Sequence, residues 1–298
     1  MIIVRLMGGL GNQMFQYAFG RAMSLKMKNK LAFDISLLEK GKERSDFTYR
    51  KLGLNKFKID LEIIEHETVD RILKLELSFR DKLRRKILNF TGTKHSMKNL
   101  IVEESLKYSK DYTFIPQNCV LQGYWQSENY FLKDQKTIRN DFSLQHILEN
   151  FDKNIIHQIQ ESCSVGIHIR RGDYIFNPDF NKIYDVCDYT YYQKAIKKIQ
   201  SLLESPKFFV FSDEIEWVNK NMKFPQGTVF VSKPDNLPIE DLALFSICKH
   251  AILANSTFSW WGAWLNENSE KKIIAPQVWT KSSTMNDIEI VPKRWITI

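Results

Sequence analysis

The chain has 298 residues, of which 43% are hydrophobic and 26% are charged, a composition that is ordinary for a globular protein and excludes a disordered or fibrous one. The net charge of +8 favours an anionic partner, such as nucleotide phosphates, a membrane surface or nucleic acid. No apolar run approaches ~18 residues, which argues against a membrane-spanning helix, and Met1–Met7 lacks the basic and apolar regions of a signal peptide.

The cysteines and a basic segment bear on the cellular location of the protein. The four cysteines are widely spaced, without CxxC pairs or a compact framework, so reduced thiols in a cytoplasmic protein are the simplest interpretation. Between Arg80 and Lys98, seven basic residues stand against one acid, Asp81. This segment is either a solvated helix face or a patch that contacts anionic lipid headgroups at the inner membrane face, and both interpretations stay open.

The first half of the chain alternates strands and helices around a glycine-rich turn. Apolar runs and stretches of helical spacing predict its elements. They are a strand over Ile2–Met7, a turn over Gly8–Gly11, a helix from about Asn12 to Met27, a strand over Lys30–Ile35, a charged helical stretch over Leu61–Phe90 and a strand over Cys119–Tyr124.

The second half shows the same alternation more clearly. Its predicted strands are Val165–Arg170, Phe208–Ser212, Val229–Ser232, Ala251–Ala254 and Ile273–Ala275. The predicted helices between them are Tyr191–Glu204, Glu214–Met222, Ile239–Lys249 and Ser259–Asn268. This alternation predicts parallel sheets with helices on both faces, which place ligands at the carboxyl ends of their strands. Weak patterning over Asp141–Asp152 marks a domain boundary, which gives two α/β domains over 1–150 and 151–298.

The segment Gly166-Ile-His-Ile-Arg-Arg-Gly-Asp-Tyr174 carries the strongest local signal for chemistry. Because side chains alternate along a strand, His168 and Arg170 share one face. Arg171 then leaves the strand at its carboxyl end, and guanidinium groups match phosphate oxygens bidentately. The pattern favours a diphosphate site at this edge of the sheet, and the alternative is an arginine that pairs with an acidic neighbour on the surface.

Two further strand ends carry polar residues. Phe208–Ser212 is followed by Asp213, which either accepts hydrogen bonds from a guanine edge or caps the next helix. Ala251–Ala254 is followed by Ser256 and Thr257 at the start of a helix, where both residue types are good N-caps. The same helix start offers N–H donors and a positive dipole end to a phosphate, and the two interpretations are compatible.

The glycine-rich turn keeps a second class of function open. Gly9 and Gly11 resemble the start of a dinucleotide fingerprint, but its third glycine would fall at Met14, where the match fails. Asp34 ends the second strand and would suit a ribose, which is the basis of a nicotinamide-dependent oxidoreductase alternative. That alternative leaves the His168–Arg171 segment unexplained.

Two motifs are absent from the sequence. It has no Asp-x-Asp triplet, the usual metal–diphosphate clamp, and no His/Cys cluster at zinc spacing. Charge on a departing diphosphate would then be met by arginine and a helix dipole, without a metal ion.

Four segments together resemble glycosyltransferase family 11, the bacterial and animal α-1,2-fucosyltransferases. They are Gly8-Gly-Leu-Gly-Asn-Gln-Met-Phe-Gln-Tyr-Ala18, Gly123-Tyr-Trp-Gln-Ser127, His168-Ile-Arg-Arg-Gly-Asp-Tyr174 and Ser256-Thr-Phe-Ser-Trp-Trp-Gly262. They occur in the family's order and span nearly the whole chain, except for a stretch from about Ser36 to Thr113.

The resemblance implies a GT-B-like α/β fold, in which two Rossmann-like domains face each other across a cleft. An acceptor-side domain would cover 1–150 and a GDP-sugar-binding domain 151–298. The implied reaction is an inverting, metal-independent transfer of L-fucose from GDP-β-L-fucose to the 2-hydroxyl of a terminal galactose. The partners are then the donor and a galactose-terminated glycan; no cofactor and no nucleic acid are expected.

The resemblance also implies residue roles. Its donor-binding positions are His168, Arg170, Asp213, Ser256, Thr257 and Phe258, and the strand-end pattern adds Arg171. Arg170 is expected to neutralise charge that grows on the β-phosphate, while Asn12 and Gln13 correspond to a loop that faces the fucose and the acceptor. Asp173 is the candidate general base, because a carboxylate near the site is chemically suitable. Alternatives are a transferase of another GDP-sugar such as GDP-mannose, the oxidoreductase, and a non-catalytic basic module.

Overall fold

The structure is a computed structural model that describes residues 1–40, 50–74, 99–172, 186–233, 235–281 and 289–298. The chain forms two compact units, Met1–Asp141 and Phe142–Ile298. No helix within the described ranges combines the length and the apolar character needed to cross a membrane.

The first unit is built on a four-stranded, wholly parallel sheet. Its strands are β1 (Ile2–Arg5), β2 (Leu31–Asp34), β3 (Leu100–Val102) and β4 (Cys119–Gln122), in the order β2-β1-β4-β3. Its described helices are α1 (Leu10–Met27), α2 (Ser36–Lys40), α3 (His66–Lys74) and α4 (Gln135–Asp141). Helix α1 buries twelve of its eighteen residues, so it is a core helix of this unit.

Glycine and glutamine shape the turn that joins β1 to α1. Gly8 has a φ of +76°, a left-handed conformation that glycine adopts without steric cost, and an added Cβ would lie 2.5 Å from Nδ2 of Asn12. Gln13 is fully buried. Its amide donates to the carbonyls of Gly8 and Lys51 and accepts from the N–H of Gly53. Gln13 therefore fixes the conformation of this turn, although the family resemblance expects it to face the fucose and the acceptor.

The second unit is built on a six-stranded parallel sheet. Its strands are β5 (Ser164–Ile169), β6 (Lys207–Ser212), β7 (Val229–Phe230), β8 (His250–Ile252), β9 (Ile273–Ala275) and β10 (Ile296–Thr297). Its described helices are α5 (Gln145–Leu148), α6 (Lys153–Glu161), α7 (Tyr189–Gln200), α8 (Ile215–Asn221), α9 (Pro238–Ser246) and α10 (Thr257–Leu265). All six residues of β5 are buried, as expected for the centre of a sheet covered on both faces.

The strand order of the second sheet is that of a doubly wound fold. The order is β10-β9-β8-β5-β6-β7, so the chain winds outward from β5 through β6 and β7 and then returns to β8 on the other side of β5. The direction of winding reverses between β5 and β8, and ligands of such sheets bind beyond the carboxyl ends at this point. The predicted α/β class with two Rossmann-like units is confirmed.

The structure differs from the sequence analysis in several boundaries. The predicted domain boundary at residue 150 falls within the second unit, because Phe142 is buried and its ring packs edge-on against Trp261 at 5.1 Å between centroids. Strands β3 and β10 were not predicted. Of the helical stretch predicted over Leu61–Phe90, residues 66–74 form α3, residues 61–65 are not helical, and residues 75–90 lie outside the described ranges.

Candidate functional site

A cavity of about 460 Å³ lies at the carboxyl ends of β5 and β6 in the second unit. The residues that carry its chemistry include His168, Arg170, Asp213, Trp217, Asp241 and Phe258. We call it the strand-end cavity. Four of the predicted donor-binding residues, His168, Arg170, Asp213 and Phe258, therefore line one cavity, at the sheet edge where the sequence analysis expected a ligand.

An ion pair joins the ends of the two central strands. Ile169 pairs with Ser212 in the sheet, so the residues that follow them, Arg170 and Asp213, leave side by side. Nη1 of Arg170 lies 2.9 Å from Oδ2 of Asp213, and both side chains keep about a quarter of their surface exposed. An arginine paired with an acidic neighbour was the alternative interpretation of this segment, and the ion pair confirms it. The pair also lines the cavity, and a diphosphate contact stays a prediction.

Asp213 also fixes the backbone turn after Arg170. Its Oδ1 accepts a hydrogen bond from the N–H of Arg171 at 2.9 Å. An added Cβ on Gly172 would lie 2.5 Å from Oδ2 of Asp213, so the carboxylate reaches this position only because residue 172 is glycine. Asp213 thus orients both the Arg170 guanidinium and the main chain behind it, whereas the sequence analysis considered it for guanine or for a helix cap.

His168 is a buried, neutral imidazole at the base of the cavity. It is 4% exposed, and its ring centroid lies 5.0 Å from that of Phe258 and 6.1 Å from that of Phe245. Burial is the main cause that lowers the pKa of His168 to about 3; the charge of Asp213 opposes the shift and that of Arg170 adds to it. His168 is therefore uncharged at neutral pH.

We expect the burial of His168 to make the protein less stable in mild acid. Because the folded pKa lies below the unfolded value of about 6.5, the unfolded chain binds the extra proton, and stability falls as pH drops from 6.5 towards 3. Between pH 7 and pH 5, the His168 contribution to the free energy of unfolding should fall by about 2 kcal/mol. Urea unfolding of the wild type and of His168→Gln at both pH values measures this difference.

The control for this prediction is His157→Gln, which removes an exposed histidine from α6. The control should lose the same stability as the wild type between the two pH values, and His168→Gln should lose less. Equal losses in all three proteins would show that His168 is not held neutral by the fold.

The remaining predicted donor residues lie beside the cavity. The guanidinium carbon of Arg171 lies 3.0 Å from the centroid of the Trp217 ring, so this side chain stacks on the indole. Ser256 is the N-cap of α10, and its hydroxyl accepts from the N–H of Phe258 at 3.3 Å. Thr257 is the first residue of that helix. The capping interpretation of Ser256 is confirmed, and a phosphate contact at this helix start stays a prediction.

A hydrogen-bonded group lines the other end of the cavity, around the first turn of α9. Asp241 accepts from the hydroxyl of Ser232 and from the amide of Asn236, and burial raises its pKa. The same Ser232 hydroxyl accepts from the N–H of Ser212 at 3.0 Å. These bonds tie the loop after β7 to the end of β6. Sequence reasoning missed Asp241, which has no motif and is identified only by the fold.

Two tyrosines of α7 support the strand ends and were also missed. The hydroxyl of Tyr192 donates to the carbonyl of His168 at 3.2 Å, and that of Tyr191 donates to the carbonyl of Leu253 at 2.6 Å. Both side chains are buried, and burial raises the pKa of each phenol, so both remain donors. The helical spacing of α7 predicts a core helix but gives no sign of these bonds.

In the first unit, the structure places Asn12 and Gln13 at the start of α1. Oδ1 of Asn12 accepts from the amide of Gln126 at 3.0 Å, which links two of the segments that carry the family resemblance. Gln13 uses its amide to hold the glycine-rich turn, as described above. A contact of either residue with a sugar stays a prediction.

The oxidoreductase alternative depends on Asp34 as a ribose ligand, and the structure buries this residue. Asp34 is fully buried; its Oδ2 lies 2.8 Å from Nε of Arg5, and its Oδ1 accepts from the N–H of Ser36. This carboxylate supports the sheet edge and is not available to a ribose. The structure does not support Asp34 as a ribose ligand, because the carboxylate is buried and paired with Arg5, its neighbour across the sheet.

Two predictions fall outside the described residues: Asp173 as general base and the basic segment Arg80–Lys98. Both stay predictions. Within the described ranges, no group of three or more His, Cys, Asp or Glu side chains is placed to hold a metal ion. All four cysteines are free thiols.

Known proteins resemble the chain over most or all of its length. Alpha-1,2-colitosyltransferase from Escherichia coli is 34% identical over 305 residues, which cover 100% of this chain and 98% of that protein. Galactoside 2-alpha-L-fucosyltransferase Sec1 from Mus musculus is 26% identical over 89% of this chain and 64% of that protein. The α-1,6-fucosyltransferase NodZ from Bradyrhizobium, solved after soaking with GDP-fucose, has a TM-score of 0.46 at 13% identity, over 89% of this chain and 92% of that one.

The sequence profile of glycosyl transferase family 11 matches residues 1–298. The match includes both parallel-sheet units and every residue of the strand-end cavity. With a profile match from end to end and a relative 34% identical over nearly its whole length, the chain is a glycosyltransferase and belongs to glycosyl transferase family 11.

Proposed function

We propose that this glycosyltransferase moves L-fucose from GDP-β-L-fucose to the 2-hydroxyl of a terminal galactose in a glycan. The names of its relatives, an alpha-1,2-colitosyltransferase and a galactoside 2-alpha-L-fucosyltransferase, support an α-1,2 linkage. A β-linked donor that yields an α-linked product requires inversion, that is, a single displacement at the sugar carbon. The structural observation that carries the proposal is the Arg170–Asp213 pair at the carboxyl ends of β5 and β6.

Arg170 would stabilise the departing nucleotide. The transition state of such a transfer is oxocarbenium-like, and negative charge grows on the β-phosphate as the sugar leaves. A guanidinium held by a carboxylate is already oriented before the charge appears, so little reorganisation is needed during the reaction. Asp213 supplies this orientation. Because a guanidinium carries five N–H donors, Arg170 could bind a phosphate and keep its pairing with Asp213.

The rest of the strand-end cavity suits the nucleoside part of the donor. Its lining includes Glu214, Glu216 and Asp241, and carboxylates accept hydrogen bonds from ribose hydroxyls and from the N–H groups of a guanine edge. Asp213 keeps acceptor capacity for guanine, because an ionised carboxylate has about four lone-pair positions and two are used here. His168 would lie on the guanosine side of the donor as an uncharged group.

The remaining parts of the mechanism have two different grounds. Asp173 is the proposed general base for the acceptor hydroxyl, because a carboxylate near the site is chemically suitable. By the family resemblance, Asn12 and Gln13 would face the fucose and the acceptor. No metal is required in this proposal, because Arg170 and the start of α10 would carry the charge of the diphosphate. Contact of the Arg80–Lys98 segment with anionic membrane lipids is a separate proposal.

Colitose is a second candidate donor sugar, because the relative that is 34% identical over the whole chain is named for it. Colitose lacks the 3-hydroxyl of fucose and otherwise has the same ring configuration. The two sugars would present the same leaving group to Arg170, so the choice between them lies with residues around the sugar.

One assay tests the proposed function. The purified protein is offered GDP-fucose, GDP-colitose and GDP-mannose in separate reactions with galactose-terminated oligosaccharides, in the presence of EDTA, and product linkages are determined. We expect an α-1,2-fucosylated product whose rate is unchanged by the chelator. Exclusive use of GDP-colitose would favour the second candidate. Loss of turnover in EDTA that added Mg²⁺ or Mn²⁺ restores would contradict the metal-independent mechanism.

A further inference from the structure

One tryptophan of this chain lies outside the protein core. All seven tryptophans fall within the described residues, and six of them are at most 8% exposed. Trp217, in the first turn of α8, is 38% exposed and lines the strand-end cavity. The exposed part of this indole can be reached by a ligand in the cavity.

The indole of Trp217 is held in place by Arg171. The guanidinium carbon lies 3.0 Å from the ring centroid, and a cation over an indole face is attracted by the ring electrons. The backbone N–H of Arg171 is in turn held by Asp213, the partner of Arg170. Trp217 is thereby connected to the turn that carries Arg170, and its position at the wall is fixed before a ligand arrives.

We propose that Trp217 is a nucleotide-contacting residue of the donor site, whose indole, fixed by Arg171, forms a wall against the bound GDP moiety. The inference rests on the proposed function, since it takes the strand-end cavity as the donor site. Arg171 then acts through Trp217 as a positioning residue. This role explains why Arg171, unlike the neighbouring Arg170, stacks on an aromatic ring. Aromatic side chains suit this role because every base and sugar has an apolar face.

Tryptophan fluorescence can test the contact between Trp217 and the nucleotide. Because the other six indoles are buried, a change in tryptophan emission that follows GDP binding should come from Trp217. GDP is titrated into wild type, Trp217→Phe and Trp217→Leu, and binding is followed in parallel by calorimetry and by fluorescence. Trp279→Phe, which removes a buried indole, is the matched control.

We expect wild type and Trp279→Phe to change emission with the dissociation constant that calorimetry gives. Trp217→Phe should bind GDP within a few-fold of wild type, because a flat ring remains, but without the emission change. Trp217→Leu should bind about tenfold to a hundredfold more weakly. Unfolding midpoints of all variants check that they fold. If Trp217→Leu does not fold, the emission change of Trp217→Phe on GDP binding tests the inference by itself.

Two outcomes overturn the inference in distinguishable ways. If GDP binds the wild type by calorimetry but the emission of wild type and Trp217→Phe responds identically, Trp217 does not contact the nucleotide, and the donor site itself stands. If calorimetry detects no GDP binding to the wild type, the proposed function fails, and the inference fails with it.

Discussion

Replacing Arg170 with alanine should lower the turnover of sugar transfer by about 10²–10³-fold, because one preoriented donor to a developing charge is worth that much. The loss should appear in kcat as well as in donor KM, since the charge on the β-phosphate is larger in the transition state than in the bound donor. Initial rates of product formation at saturating acceptor, over a range of GDP-fucose concentrations, measure both constants.

The matched control is Arg294→Ala, which removes an exposed arginine that lies over Trp295, outside the cavity lining. The control should keep wild-type turnover. Both variants should unfold at denaturant concentrations close to that of the wild type, because the Arg170–Asp213 pair is partly exposed and such pairs contribute little stability. A folded Arg170→Ala protein that keeps more than about a tenth of wild-type turnover would remove Arg170 from its proposed role.

Trp261→Ala should lower the free energy of unfolding by about 3–5 kcal/mol, the usual effect of removing a large aromatic side chain from a core. Trp261 is fully buried, and its ring centroid lies between 5.0 and 5.3 Å from those of Phe142, Trp260 and Trp264. Since domains are stable by about 5–15 kcal/mol, this loss is a large share of the total. Urea unfolding of both proteins at pH 7 measures it.

Trp217→Ala is the control for this substitution, because it removes the same side chain from a half-exposed position, where the stacked Arg171 contact is worth only about 0.5–1 kcal/mol. The two variants together separate a core residue from a ligand-contacting residue. A Trp261→Ala protein that unfolds like the wild type but no longer transfers sugar would show that this indole serves the substrate instead of the fold.

The main elements of the fold were predictable from the spacing of apolar residues. The predicted strand Ile273–Ala275 matches β9 in both bounds, β6 begins one residue before its predicted start, and β5 is shifted by one residue. The runs of β6 and β9 are apolar almost throughout, as central strands of parallel sheets are, whereas β5 alternates apolar residues with Gly166 and His168. The turn before α1 was predictable from its glycines, and Gly8 adopts the left-handed conformation that glycine permits.

What could not be predicted depends on contacts between distant parts of the chain. Strands β3 and β10 are short edge strands, whose places in the sheets depend on pairing with β4 and β9. Phe142 belongs to the second unit because it packs on Trp261, a residue far along the chain. The burial of the tryptophans also depends on such contacts: six of the seven are at most 8% exposed, and Trp217 is the exception.

The candidate site was predicted in its location and only partly in its details. Strand alternation placed His168 and Arg170 on one face, and both line the strand-end cavity. The sequence does not show that Asp213 would hold Arg170, because that contact depends on the pairing of β5 with β6. The role of Gly172 follows from the same contact. Asp241 and Trp217 lie in helices without a motif, so only the fold brings them to the cavity.

The most direct test of the proposed donor site is a crystal structure of the protein with GDP, grown in EDTA. We predict that the nucleotide occupies the strand-end cavity, with a β-phosphate oxygen about 2.7–2.9 Å from a guanidinium nitrogen of Arg170. A nucleotide bound elsewhere, with Arg170 in contact with Asp213 alone, would contradict the proposed role of this cavity.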